Sequence, residues 1–163
     1  MTVRLPAFQT LLDAHGRDVH RFLIATVGSA DADDCYQETW LAALRAYPGL
    51  RDGGNLRGWL FTIAHRKAID HVRSRARRAT PVADPEELAP AAGERGPARV
   101  AETDGDLWPA VAALPPKQRA ALALRFIADQ GYAEIAGALG CSEEAARRNV
   151  HEGLKRLRRE HQR

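Results

Sequence analysis

The sequence predicts an all-α protein built as two small helical units with an acidic segment between them. Three observations carry that expectation. Apolar residues recur at helical spacing up to residue 78 and again after residue 107, and no stretch alternates apolar with polar residues over a useful strand length. Between them, residues 79–106 hold four prolines, three glycines, no aromatic residue, and seven acids against two arginines.

The elements follow in order. In FQTLLDAHGRDVHRFLIATVG, Phe8, Leu11, Leu12, His15, Val19, Phe22 and Leu23 fall on one side of a helix. Gly28 supplies a stop, and Asp31 suits the N-cap of the next helix, with Asp33 and Asp34 in its first turn. There Tyr36, Trp40, Ala43, Leu44 and Tyr47 form an apolar face, while Asp34, Gln37, Glu38, Leu41 and Arg45 form a mostly polar one; Pro48 ends the helix. After RDGGN, a third helix runs from residue 55 or 56 to Arg78. Leu56, Leu60, Phe61, Ile63, Ala64, Ala68 and Val72 cover its apolar arc.

The segment 79–106 carries a net −5, so the flanking pieces together hold a formal +8 against +3 for the whole chain. It buries little apolar area and reads as an extended tether, whose 28 residues reach at most about 90 Å. Beyond it, Pro116 suits the first turn of a helix carrying Leu122, Leu124 and Phe126, which Gly131 is expected to break. Tyr132–Leu139 reads as a short helix with Ile135 and Leu139 inward and Gly140 as its left-handed cap. Ser142 is placed to cap a last helix buried along Ala146, Val150, Leu154 and Leu157.

Composition excludes several classes. Two cysteines, Cys35 and Cys141, far apart, make no disulfide framework or metal-type spacing, and Cys35 reads as an inert thiol. No apolar run approaches the roughly 20 residues of a membrane span, and there is no signal-peptide core, so a cytoplasmic chain without membrane insertion is expected. No cofactor is called for. His65 and His71 read as surface residues rather than ligands.

The third helix poses the functional question. Arg57 to Arg78 holds six arginines and one lysine against one aspartate. Trp59, Thr62, Arg66, Arg73 and Arg77 gather away from the apolar arc, a strip of one aromatic and several guanidiniums. Such forks bind phosphate bidentately, and an aromatic ring can stack on an unpaired base; Trp59 alone reads equally well as core filler. In the C-terminal piece, a short helix, a glycine turn and a second helix with Arg147, Arg148, His151, Lys155 and Arg158 outward make a helix-turn-helix pattern.

DADDCYQETWLAALRAYP, NLRGWLFTIAHRKAIDHVRSRARR and LPPKQRAALALRFIADQGYAEIAGALGCSEEAARRNVHEGLKRLRR resemble, in order, regions 2 and 4 of bacterial RNA polymerase sigma factors. The chain is most similar to the small extracytoplasmic-function (ECF) group, and the likeness covers essentially its whole length. It implies a region 2 bundle over 1–78, a linker over 79–106 threading the polymerase RNA channel, and region 4 over 107–163. On that resemblance Asp34, Gln37, Glu38 and Leu41 dock on the β′ clamp of core RNA polymerase, and region 4 meets the β flap. Asp52, Asn55, Trp59, Arg66, Arg73 and Arg77 recognise and melt the −10 promoter element, while Arg147, Arg148, His151 and Lys155 read the −35 element in promoter DNA. Many relatives are held inactive by an anti-sigma factor, which the resemblance adds as a candidate partner. The recognition helix departs from the family's small-residue Thr-Val-Lys-Ser pattern, reading Glu143 to Asn149 instead, which leaves its preferred −35 sequence open; two arginines favour guanines.

The implied function is a dissociable transcription initiation factor with no catalysis of its own. Two other readings fit the sequence less well. A stand-alone helix-turn-helix regulator would have no use for the Asp34–Glu38 face, and a metal enzyme built on Asp33, Asp34 and Glu38 lacks a histidine at ligand spacing.

Overall fold

The computed structural model describes residues 4–79 and 107–162, and these are helical throughout apart from short turns. Of the expected tether, residues 79–106, only Ala79 is described, as the last residue of the third helix, and the rest lies outside the described residues. Helix α1, Phe8–Val27, buries Leu11, Gly16, Val19, Phe22, Leu23 and Ala25. Gly28, at φ 88°, ends it and opens α2, Ser29–Ala46: its N–H bonds Ile24 O, and its own carbonyl accepts from Ala32. A positive φ suits glycine, because a side chain there strains the backbone.

The α2 start is therefore three residues earlier than expected, and Asp31 is not the cap. Asp31 sits in the first turn and bonds Arg75 of the third helix, with His71 at 3.4 Å. Asp33 lies further along the helix and pairs with His20 at 2.9 Å. The buried face of α2 is Ala32, Cys35, Thr39, Trp40 and Ala43. Leu44, expected in the apolar face, is 51% exposed. The inward stripe steps from Thr39 and Trp40 to Ala43, and Leu44 falls one position beyond it.

A 3-10 turn, Tyr47–Gly49, follows, with Tyr47 packed edge-on to Phe8 at 5.3 Å between ring centroids. Asn55 then caps α3, Leu56–Ala79, by accepting the Gly58 N–H at 2.9 Å. Phe61 meets Phe22 at 5.4 Å in a T-shaped pair, and with Leu60, Ala64 and Ala68 it closes a three-helix unit of α1, α2 and α3.

Four helices make the second unit: α4, Leu107–Ala112; α5, Pro116–Phe126; α6, Tyr132–Leu139; and α7, Glu143–His161. Pro116 stands in the first turn of α5, where its missing N–H costs nothing. That helix ends at Phe126, not at Gly131: Asp129, at φ 58°, turns the chain, and Gly131 instead opens α6. Of the three apolar residues named on that helix, Leu122 and Leu124 are buried, with Arg119, Ala121 and Ala123, while Phe126 is 61% exposed. Gly140 takes the left-handed conformation (φ 64°, ψ 37°), and the Ser142 hydroxyl accepts the Ala145 N–H at 3.1 Å. The two units pack together, α1 against α4 and α5, and α3 against α6.

Candidate nucleic-acid interface

Three surfaces collect the residues singled out by sequence. On α3, Arg66, Arg73 and Arg77 are exposed on the side away from Leu60, Phe61 and Ala64. Arg75 is held by Asp31, and Arg78 donates to Ser74 at 3.3 Å. Trp59 is half-buried and tilted against Tyr47 at 6.1 Å between centroids. Its ring is thus braced by the core on one side while retaining exposed surface. The loop before α3 is organised by its own polar groups. Asp52 Oδ1 accepts the Gly54 N–H at 2.8 Å, and Asn55 uses its oxygen to cap α3 and its Nδ2 to donate to Glu134 at 2.9 Å.

The outer face of α2 presents Asp34, Gln37, Glu38 and Leu41, all exposed and spaced three and four apart. Leu41 is 52% exposed, and Leu44 extends the same stripe. Beneath it, Cys35 is fully buried. Burial pushes its thiol up to about 12, with the nearby carboxylates of Glu38, Asp31 and Asp34 adding to the rise. A thiol held protonated at neutral pH is a poor nucleophile.

The third surface is α7. Arg147, Arg148, His151 and Lys155 are all exposed along it. Arg147 pairs with Glu143 at 3.4 Å and lies 4.9 Å from the centroid of the Tyr132 ring, which Arg125 also approaches at 4.8 Å. Arg148 and Glu144 are 4.0 Å apart. Exposed pairs of this kind are worth about 0–1 kcal/mol and give way readily to a phosphate or a base edge.

Sequence reasoning missed three participants. Leu44 belongs to the outer face of α2. Arg57, counted in the charge of α3 but not in its outward strip, turns toward the second unit. His65, expected at the surface, is 4% exposed, with no close hydrogen bond to either ring nitrogen. Burial holds its imidazole below the ordinary value, the Ala138 backbone opposing that and Arg66 reinforcing it. Among the described residues no three His, Cys, Asp or Glu side chains converge where a metal ion could sit, and no helix is long and apolar enough to cross a membrane.

Residues 11–78 match the family model for sigma-70 region 2, and residues 105–157 match that for sigma-70 region 4. The chain is 35% identical over 146 residues to the ECF RNA polymerase sigma factor SigC of Mycobacterium tuberculosis, an alignment covering 88% of this chain and 77% of that one. The chain belongs to the ECF group of sigma-70 factors.

It is also 30% identical over 159 residues to the ECF sigma factor SigE of Mycolicibacterium smegmatis, of which it spans 61%. The fold matches that of the sigma factor RpoE from Bartonella quintana, solved in complex with the anti-sigma factor NepR. The TM-score is 0.78 at 23% identity, over 95% of this chain and 96% of that one. Within the family frame, α1 to α3 make region 2 and the helix-turn-helix of α6 and α7 lies in region 4.

Proposed function

We propose that this ECF sigma factor binds core RNA polymerase, directs it to promoters through their −35 and −10 elements, and promotes melting of the −10 DNA. The protein performs no catalysis in this role. Its units divide as region 2 over 1–78, a linker over 79–106 and region 4 over 107–163. Asp34, Gln37, Glu38 and Leu41, extended by Leu44, form the surface for the β′ clamp, and region 4 meets the β flap. Arg66, Arg73 and Arg77 clamp phosphates of opening DNA. Asp52 and Asn55 shape the pocket for an extruded base, with Trp59 as a stacking edge; taking a base out of its stack costs a few kcal/mol, which these contacts offset. Arg147, Arg148, His151 and Lys155 enter the major groove at −35, the arginines favouring guanine. The reading implies a cytoplasmic protein and, as for the relative solved with NepR, a place for an anti-sigma partner.

The observation that carries this reading is the outer face of α2. Two large leucines, each about half exposed, lie among acids and a glutamine on a helix whose other side is fully buried. A DNA-binding domain acting alone needs no such face, whereas a reversible protein interface does. Leu41→Asp is expected to abolish co-purification with core polymerase while leaving helix content and duplex binding intact. Undiminished binding to core would remove α2 from the interface and reopen the reading as a stand-alone regulator.

A further inference from the structure

Tyr132, the first residue of α6, carries two arginines on its ring. The Arg125 guanidinium, from the last turn of α5, lies over it at 4.8 Å from the centroid, and that of Arg147, from α7, lies over it at 4.9 Å. The ring is firmly set. It is half-buried against the apolar core, on a helix start fixed by two bonds: the Gly131 N–H donates to Glu134 Oε2 at 2.9 Å, and the Ile135 N–H to Gly131 O at 3.0 Å. Ile135 itself is fully buried. Arg125 is tied in turn, donating to Gln130 O at 3.0 Å. Three helices of region 4 thus meet at one aromatic side chain.

The two neighbouring arginines of α7 are not held alike. Arg147 has the ring beside it and Glu143, one turn back, at 3.4 Å. Arg148 pairs with Glu144 at 4.0 Å, and its side chain is 70% exposed against 59% for Arg147. A carboxylate is repelled as the phosphates of a duplex approach, so neither glutamate is a lasting brace in a complex with DNA. The ring face is uncharged, attracts a guanidinium through its quadrupole, and keeps that hold beside phosphate. An arginine already fixed in place loses less rotamer freedom on meeting its target than one without such a brace. Readout of guanine O6 and N7 by both arms of the fork also demands a set orientation, whereas contacts to phosphate carry no sequence information.

We infer that Tyr132 is a positioning residue for −35 recognition: its ring holds the Arg147 guanidinium ready for a guanine edge. Arg147 then supplies most of the base discrimination of the pair, and Arg148 chiefly grips phosphate. The inference rests on the proposed reading of α7 as the −35 helix. Tyr132 touches no DNA in this role and acts through Arg147. Adjacent arginines look equivalent in the sequence; the ring makes them unequal.

Two measurements on the full chain test this. In the unliganded wild type, NMR relaxation of the arginine Nε–H groups should show Arg147 more ordered than Arg148. Tyr132→Met, which keeps apolar bulk but removes the ring, should bring Arg147 down to the level of Arg148. In complex with bacterial core polymerase, selection from promoters randomised in the upstream element should enrich guanine at a position whose preference Arg147→Ala erases. Tyr132→Met should cut that enrichment roughly two- to fivefold, the range of an exposed cation–π contact, and Tyr132→Phe should retain it. Adding Tyr132→Met to Arg147→Ala should cause no further loss of preference, which a general packing defect would not explain. Arg148→Ala should instead weaken binding evenly across sequences and lessen its salt dependence. Should Tyr132→Met lose helix content by circular dichroism, the wild-type relaxation decides, and equal disorder at Arg147 and Arg148 overturns the inference. Guanine enrichment unchanged in a folded Tyr132→Met, or lost in Tyr132→Phe, overturns it too. A wild type whose selected promoters share no upstream sequence removes the initiation reading and this inference with it. That result is distinct from failure of the brace alone, in which an upstream sequence is selected but does not depend on the ring.

Discussion

His65 lies four and three residues from Phe61 and Ala68 and next to Ala64, on the stripe that α3 buries, yet neither ring nitrogen has a close hydrogen bond. An uncharged ring tolerates that site; a charged one there has no carboxylate to meet it. Because burial lowers its folded value below 6.5, the unfolded chain takes up a proton first as pH falls. The stability linked to neutral His65 is complete above about pH 6.5 and drains away as pH drops below it toward the lowered folded value. Denaturant midpoints should therefore fall between pH 7 and pH 5, and more steeply in wild type than in His65→Leu. Equal slopes in the two proteins would show that His65 does not couple folding to protons. The stripe was written in the sequence, but histidine is so often a surface residue that its type outweighed its spacing.

At the scale of the elements, glycines set how closely helices approach. Gly153 of α7 faces Leu122 of α5, and an added Cβ would lie 2.8 Å from Leu122 Cδ1. Leu122 is buried and has little room to yield. Alanine for a mid-helix glycine ordinarily adds about 0.5–1 kcal/mol, whereas overpacking costs about 1–3 kcal/mol, so the clash wins. Gly153→Ala should lower the melting temperature. Gly137→Ala, exposed on α6 with nothing within 4 Å of the new methyl, should raise it. Opposite signs from one chemical change would tie the helix-turn-helix geometry to that contact; two stabilised variants would refute it.

The helices themselves were legible because each carries its own punctuation. Pro116, Gly140 and Ser142 occupy the positions that their backbone chemistry favours. What could not be read was set by partners distant in sequence. Asp31 looks like a cap until Arg75 and His71 are folded onto it, and Leu44 and Phe126 continue apolar patterns whose neighbouring helices do not cover them. The exposed positions of α2 and α7 were recoverable, since outward positions on an amphipathic helix follow from the inward ones. Arg57 was not, because its partners lie 39 to 71 residues away in the chain.

For the molecule as a whole, two readers joined by an acidic segment make sense only if something larger holds them at a fixed separation on DNA. On the proposed reading the outer face of α2 is the handle for that larger body, and the basic residues exposed on α3 and α7 meet DNA at two places.

The most direct measurement is run-off transcription by bacterial core polymerase supplied with this protein, with active templates selected from a genomic library. The predicted result is initiation that depends on both core and this chain, from templates sharing two elements, with guanine enriched in the upstream one. Transcripts that start without this chain, or duplex DNA bound with no association to core and no initiation, would contradict a role as a promoter-specificity subunit.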